Sequence, residues 1–119
     1  MKSVRLVLLV PWLLGLALCG EAVDAGTAAG KTGEKVLMED RIREVTIKDS
    51  GTVFLNFGAA YPDELLTAIV MKDTRPRFPG IESWAGKTVR IEGVVSDHGG
   101  HSRIILRERG QITLVAGTE

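Results

Sequence analysis

The sequence predicts an all-β domain, a small barrel of five main strands that follows a short targeting segment. Two observations lead to this prediction. Apolar residues alternate with polar ones in several short segments, and glycine, proline or aspartate separates each segment from the next. A chain of 119 residues has room for one domain and a leader. Its 15 basic and 15 acidic residues give a net charge of zero, which excludes binding by bulk positive charge and leaves only local patches.

The N-terminal segment has the composition of a secretory signal peptide. Lys2 and Arg5 precede an uncharged apolar run over 6–18, which is shorter than the roughly 20 residues that a membrane-spanning helix needs. Val23 and Ala25 supply the small or apolar residues expected at the −3 and −1 positions of a cleavage site. We therefore expect cleavage at or near Ala25 and an exported protein, periplasmic or extracellular, with no stable membrane span after cleavage.

The single cysteine, Cys19, leaves a second interpretation of this segment open. Residues 16–19 resemble a lipobox, but Leu18 stands where a lipoprotein has Gly, Ala or Ser, so a lipid-anchored form at Cys19 is the less favoured alternative. After cleavage the chain has no cysteine, and packing alone must hold the domain together. The predicted organisation is a signal peptide over 1–25, a Gly-rich flexible linker over 26–35 and a barrel domain over 36–119.

Five main segments and a short sixth have the periodicity of strands. A phase slip near Arg43 and Glu44 in the first segment predicts a β-bulge. Gly93, inside the fourth segment, predicts a sharp bend. Between the third and fourth segments, the prolines and glycines of 72–86 exclude a long helix. The predicted strands are 41–48, 52–57, 65–71, 87–96 and 102–108, with a short terminal strand at 111–115.

This order of elements is typical of a Greek-key barrel of the OB type. An SH3-like barrel or a small sandwich would produce similar periodicity. The long irregular stretch over 72–86 favours the OB fold, because the OB helix belongs between the third and fourth strands. The predicted fold class is therefore all-β, a five-stranded Greek-key OB-type barrel with a degenerate helix or loop between strands 3 and 4.

Two sequence segments are similar to a known family. LNFG at 55–58, followed by YP at 61–62, and GKTVRIEGVV at 86–95 resemble the small bacterial OB-fold domains found in exported proteins and beside secreted nucleases of the thermonuclease type. The resemblance implies an OB fold and a nucleic-acid-binding role, and it implies no catalytic residues. The chain departs from the family pattern at 97–104, in the loop between the fourth and fifth strands.

An OB barrel binds its ligands on the outer face of the second and third strands, between the loops that join strands 1 to 2 and strands 4 to 5. Aromatic side chains on that face can stack on bases, and cations can follow the phosphates. Each candidate also has a structural interpretation, since Phe54 can cover the outside of the barrel and Tyr61 can fix a turn. The candidate nucleic-acid-binding residues are Phe54, Asn56, Tyr61, Lys72, Arg75, Arg77 and Arg103, with Arg107 as an extension of the same track.

One loop has a metal-like pattern. Asp97, His98 and His101 are a weak candidate for a zinc or copper site, because no cysteine or second ligand pair closes it and a Gly-Gly tip is flexible. We therefore expect no metal and no other cofactor. Adjacent acids such as Glu39 and Asp40 point to opposite faces of a strand, and no nucleophile has a base at a recognised spacing, so we predict that the protein is not an enzyme.

The sequence thus predicts an exported, monomeric, non-catalytic OB-fold protein that binds single-stranded nucleic acid or oligonucleotides, with Phe54 as a stacking platform. The alternative is a structural or protein-interaction module of the cell envelope that has no nucleic-acid affinity. In that case the exposed strand edges would recruit an exported protein partner by strand addition.

Overall fold

The computed structural model of the protein describes residues 22–115. The apolar run over 6–18 and Cys19, on which the predictions of a signal peptide and of lipidation rest, lie outside the described residues. Within the described part of the chain, none of the helices has the length and apolar character needed to cross a bilayer.

The described residues form an all-β barrel, as predicted. The sheet order is β1-β2-β3-β5-β4-β6, and β1 also pairs with β4, which closes the first five strands into a barrel. β3 and β5 run parallel, whereas the other paired strands are antiparallel. The OB-type prediction is confirmed by this arrangement. The elements are α1 (Ala25–Ala29), β1 (Lys35–Ile47), β2 (Val53–Phe57), β3 (Leu66–Val70), β4 (Thr88–His98), β5 (His101–Leu106) and β6 (Ile112–Leu114).

The first strand, β1, takes part in both sides of the barrel because it contains a bulge. Residues 35–41 pair with β4, and the later part of the strand pairs with β2 after a register shift between Ile42 and Glu44. The bulge predicted near Arg43 and Glu44 is confirmed. The strand begins several residues earlier than predicted, because Val36 and Met38 already alternate into the core.

The core is filled by the inward-facing residues of the strands. Val53, Leu55 and Phe57 are fully buried on the inner face of β2, as their alternation predicts. Gly93 lies in the middle of β4, where a Cβ atom would come within 2.6 Å of Ile104 Cγ2. Glycine is therefore required at this position, because it allows β4 to pass closely over β5.

The segment between β3 and β4 contains only short 3₁₀ turns. They cover Lys72–Arg77 and Ile81–Ser83, and the prolines and glycines of this stretch explain why no longer helix forms. Phe78, Ile81 and Trp84 are buried in the core cluster. The degenerate helix predicted between strands 3 and 4 therefore exists, and its apolar residues help to fill the barrel.

The stretch 26–35 differs from the flexible linker that the sequence predicts. Its first half continues the helix α1, which packs Ala25 and Ala28 into the core cluster with no exposed surface. The side chain of Asp24 caps this helix by accepting a hydrogen bond of 2.8 Å from the Thr27 N–H. One helical turn of small residues produces no apolar periodicity, and for this reason the sequence pattern did not reveal it.

The residue before this cap is also part of the fold. Val23 forms a parallel bridge with Met38 of β1. The Val23 N–H donates to the Leu37 carbonyl, and the Glu39 N–H donates to the Val23 carbonyl, both at 2.9 Å. The folded domain therefore includes residues that the sequence assigned to the signal peptide.

Candidate functional site

The outer face of β2, β3 and β5 carries two rows of side chains. Asn56 pairs with Thr67, and Thr67 pairs with Arg103, so these three form one row across the strands. Phe54 pairs with Ile69 in the next row. Because directly opposed residues lie on the same face of a sheet, both rows point away from the core.

A cavity of about 270 Å³ opens on this face. It lies between the end of β1, the segment that connects β2 to β3, and the hairpin that connects β4 to β5. We call it the outer-face cavity. Its lining residues are Lys48, Phe54, Tyr61, Glu64, Thr67, His98, His101 and Arg103. Three of the predicted nucleic-acid-binding residues, Phe54, Tyr61 and Arg103, are thus brought together.

Aromatic rings take part in two side-chain contacts within the lining of the cavity. The rings of Tyr61 and His101 are stacked, with centroids 6.2 Å apart and planes inclined by 25°. The Lys48 Nζ lies 5.1 Å from the centroid of the Phe54 ring, within cation–π range. Tyr61 is 66% exposed, so most of its surface is free to contact a ligand.

An acidic side chain lies deep in the same cavity. The Glu64 Oε2 is 2.7 Å from His101 Nδ1, and the Glu64 side chain is only 3% exposed. Its second oxygen, Oε1, is buried without a hydrogen-bond partner, and so is the Nε of Arg103. Buried polar groups are normally paired, because an unpaired one costs about 1–3 kcal/mol. Glu64 and Arg103, which both line the cavity, therefore each keep one buried polar atom unsatisfied.

Asn56 does not contribute to the lining of this cavity, in contrast to its prediction as a binding residue. It lies on the outer face but is only 1% exposed. Its Nδ2 donates to Glu44 Oε1 at 2.7 Å, and its Oδ1 accepts a hydrogen bond of 2.8 Å from the Thr67 hydroxyl. Its amide is thus used inside the protein, because the bulge in β1 places a carboxylate directly beside it.

Glu44 connects this buried amide to the wall of the cavity. Its Oε1 also accepts a hydrogen bond of 3.1 Å from the Tyr61 N–H. The Tyr61 N–H, followed by the Asn56 side chain, holds the pKa of Glu44 below its ordinary value of 4.5. Glu44 therefore fixes the backbone that carries the Tyr61 ring.

Replacing Glu44 by alanine is expected to lower the free energy of unfolding by about 1–3 kcal/mol at pH 7, because Asn56 stays buried and loses its acceptor. A lowered pKa in the folded state stabilises the protein above the unfolded-state value and is lost as the pH falls through the folded-state value. We therefore expect the difference in free energy of unfolding between the parent and the variant to shrink below pH 4.5.

Urea unfolding of both proteins at pH 7 and at pH 3 measures this difference. Glu92→Ala, which removes only an exposed ion pair with Lys35, is the control, and an equal effect of both variants would contradict the role of Glu44.

Three further predicted cations lie outside the cavity, in and around the 3₁₀ turn over Lys72–Arg77. The aliphatic part of Lys72 packs against Gly51. Arg75 donates to the Gly51 carbonyl and lies 3.9 Å from Glu82. Arg77 donates to the Arg107 carbonyl at 2.8 Å. Lys72 and Arg75 border the loop between β1 and β2, whereas Arg77 fastens the end of β5, so the structure does not gather the three into one track with Arg103.

The β4–β5 hairpin does not bring the three metal candidates together. Its turn consists of Gly99 and Gly100, both with positive φ, and His98 pairs directly with His101. Asp97 lies on the opposite side of the strand from His98, because successive side chains alternate. Among residues 22–115, no group of three or more His, Cys, Asp or Glu side chains is placed to hold a metal ion.

Three residues of the cavity lining, Lys48, Glu64 and Thr67, were not among the candidates predicted from the sequence. Lys48 could have been found from the strand pairing. Thr46 is the partner of Phe54, and Lys48 lies two residues after Thr46, so Lys48 is a diagonal neighbour of Phe54 on the same face. Glu64 could not have been found, because its contact with His101 spans 37 residues.

The fold and the site define this chain as an OB-fold protein with an aromatic and cationic cavity on its outer face. Solved structures share that fold. The asparaginyl-tRNA synthetase from Pyrococcus horikoshii complexed with asparaginyl-adenylate has a TM-score of 0.53 at 16% identity, over 81% of this chain and 22% of that chain. The p204 HINb domain has a TM-score of 0.60 at 10% identity, over 96% and 56%. The hypothetical protein ygiW from E. coli has a TM-score of 0.50 at 21% identity, over 82% and 92%.

These likenesses establish the barrel and nothing narrower, since identity is low throughout. The chain spans about a fifth of the synthetase that it matches. No family model matches the chain, and no curated protein matches it.

Proposed function

We propose that this chain is an exported, non-catalytic OB-fold protein that binds single-stranded nucleic acid or oligonucleotides in its outer-face cavity. The observation that carries the proposal is that Phe54, Tyr61 and the cations Lys48 and Arg103 line the same cavity. This cavity lies on the face, and between the loops, where OB barrels take their ligands.

The lining suits an extended strand with unstacked bases. Base–aromatic stacking needs aromatic rings that a base can reach. Tyr61 is exposed and Phe54 is partly exposed, and stacking works for any sequence because every base has a π face. Lys48 and Arg103 supply positive charge beside the rings. Because the chain as a whole is neutral, affinity has to come from this local arrangement rather than from a general field.

Two parts of the proposal rest on other observations. Export rests on the charge and hydropathy pattern of residues 1–25. The absence of catalysis is supported by the chemistry of the cavity lining. His101 faces the carboxylate of Glu64, but Thr67, which carries the one aliphatic hydroxyl of the lining, donates to Asn56 rather than to a histidine. A hydroxyl without an adjacent base is a poor nucleophile.

A protein-interaction module of the cell envelope is the second candidate. Barrel closure leaves β6 as the last strand in the sheet order of the described residues. Leu114 of β6 is also exposed, and a partner strand that added to this edge would cover it.

The test is a fluorescence-anisotropy titration of a labelled single-stranded oligonucleotide with the purified chain at low and high salt. We expect saturable binding that weakens as salt rises, by about 0.7 log units per decade of salt for each phosphate neutralised. A double-stranded oligonucleotide of the same sequence is the control, and we expect it to bind more weakly because its bases are already stacked. Absence of binding at low salt would contradict the proposal, and a pull-down of exported partners would then test the second candidate.

A further inference from the structure

We infer that the bound strand continues from the outer-face cavity into a second cavity on the same surface, where Lys35 and Arg107 hold its phosphates. This inference deepens the proposed function and rests on it. We call this second site the β4–β5 cavity. It has a volume of about 520 Å³, and its lining residues are Lys35, Glu92, Gly93, Val94, Ser96, Ile105, Arg107 and Gln111.

The two cavities adjoin through a directly opposed pair of residues. Ser96 of β4 pairs with Arg103 of β5, so the two side chains lie on one face of the sheet, with Cβ atoms about 4.5–5.5 Å apart. Arg103 lines the outer-face cavity, and Ser96 lines the β4–β5 cavity. One row nearer the turn, His98 pairs with His101, and both line the outer-face cavity. The β4–β5 hairpin therefore carries both cavities on the same surface.

The outward-facing residues of β5 lead from one cavity to the other. Arg103, Ile105 and Arg107 are spaced by two residues, and side chains with this spacing share a face. Arg103 lines the first cavity, whereas Ile105 and Arg107 line the second. At roughly 3.3 Å per residue, Arg107 lies about 13 Å along the chain from Arg103. A strand that passes Arg103 along β5 therefore reaches Arg107.

The β4–β5 cavity exists because β4 changes its partner. The pairing of β4 with β6 covers 89–91, and its pairing with β5 covers 95–98, so 92–94 lie between the two ladders. The side chain of Gln111 crosses this gap. Its Nε2 donates to the Glu92 carbonyl at 3.0 Å and to the Ile105 carbonyl at 3.4 Å. The cavity is thus a fixed feature of the sheet.

Arg107 supplies a cation that the fold does not use. Among the contacts found in residues 22–115, those of Arg107 are made by its backbone. Its N–H donates to Gln111 Oε1 at 2.7 Å, and its carbonyl accepts a hydrogen bond of 2.8 Å from Arg77. The residue is exposed, so its guanidinium group is available to a phosphate, for which its donor geometry is well suited.

The second cation of the cavity has an exposed acidic neighbour. Lys35 Nζ lies 3.4 Å from Glu92 Oε2, and both side chains are more than half exposed. Exposed ion pairs of this kind are weak, so Lys35 can turn to a phosphate at little cost. Glu92 then opposes the strand through its charge, which gives the inference a test of opposite sign.

The two cavities suit different parts of one strand. Phe54 and Tyr61 line the outer-face cavity and can stack on bases, whereas the lining of the β4–β5 cavity contains no aromatic ring. Base stacking is the sequence-tolerant source of affinity for single strands, and cations follow the backbone. We therefore expect a short strand to occupy the outer-face cavity, and a longer one to add phosphate contacts in the β4–β5 cavity.

The first test is an NMR titration of the ¹⁵N-labelled chain with oligothymidylates of 4 and 12 nucleotides, within the roughly 4–16 nucleotides that an OB fold covers. We expect the 4-mer to shift backbone amide signals around the outer-face cavity. The 12-mer should shift these and also the signals of Val94, Ile105 and Arg107. This experiment locates the strand on the unchanged protein, whatever the stability of a variant.

The second test measures anisotropy with three variants. We expect Arg107→Ala to weaken binding of the 12-mer about threefold at low salt, to lower its salt slope by about 0.7 log units per decade, and to leave the 4-mer unchanged. Glu92→Gln should strengthen binding of the 12-mer about twofold, because it removes a negative charge. Arg43→Ala is the control, since Arg43 is an exposed cation that lines neither cavity.

The outcomes separate this inference from the proposed function. Amide shifts confined to the outer-face cavity with both oligonucleotides, or equal effects of Arg107→Ala and Arg43→Ala, would overturn the second cavity while the proposed function stands. An equal response of the β4–β5 cavity to the 4-mer and the 12-mer would overturn the continuous path. No response to either oligonucleotide would overturn both proposals.

Discussion

Replacing Phe54 by alanine is expected to weaken oligonucleotide binding about tenfold while leaving the barrel folded. Each base stacked on an aromatic ring contributes roughly 1–3 kcal/mol to binding, and Phe54 lies in the lining of the cavity rather than in the core. The variant also loses the contact between Lys48 and the ring, so one cation beside the strand becomes less well positioned. Anisotropy titration measures the binding loss, and thermal unfolding by circular dichroism measures the stability.

Two controls on other positions make this result interpretable. Leu114→Ala removes a more exposed apolar side chain from β6, away from the cavity, and should leave binding unchanged. Phe57→Ala removes a fully buried ring from the inner face of the same strand and should destabilise the fold by about 3–5 kcal/mol. If Phe54→Ala behaves like Phe57→Ala, the ring is structural and the site is wrongly assigned. If it behaves like Leu114→Ala, no base stacks on it.

The contrast between these phenylalanines shows what a sequence pattern can provide. Alternation along a strand decides which residues share a face, and it placed Phe54 outside and Phe57 inside correctly. It does not decide what covers the outer face. Asn56 shares that face with Phe54 but is buried, because the bulge in β1 brings Glu44 next to it.

The parts of the cavity that depend on chain closure were beyond sequence reasoning. Arg103 lies beside Thr67 only because β5 runs parallel to β3. Glu64 and His101 meet because a loop and a hairpin that are distant in the sequence converge on one side of the barrel. Composition and spacing show which residue types each strand carries. The order of the strands in the sheet determines which of these residues become neighbours. This explains why Phe54, Tyr61 and Arg103 were predicted as binding residues, whereas the contact between Glu64 and His101 was not predicted.

A similar limit applies at the N-terminus, where the predicted cleavage site conflicts with the fold. A chain that begins at Gly26 is expected to have a free energy of unfolding about 2–6 kcal/mol lower than that of a chain that begins at Glu21. It lacks the two hydrogen bonds between Val23 and β1, the Asp24 cap of α1 and the bond from the Ala25 N–H to Asp40. A hydrogen bond contributes about 0.5–1.5 kcal/mol and a helix cap about 0.5–2 kcal/mol.

Urea unfolding of the two chains measures this difference, and Asp24→Ala in the longer chain isolates the cap. A loss confined to the cap would leave the Val23 bridge without a stabilising role, and equal stability of the two chains would contradict the whole assignment. If the loss is found, a signal peptidase that cut after Ala25 would release a weakened domain, because the cut removes residues that pair with β1. If the chain is exported as proposed, we therefore expect the mature protein to begin before Val23, which an intact-mass measurement can show. A lipoprotein processed at Cys19 would also begin before Val23. The intact mass must therefore be compared with the masses expected for each first residue, with and without a lipid on Cys19.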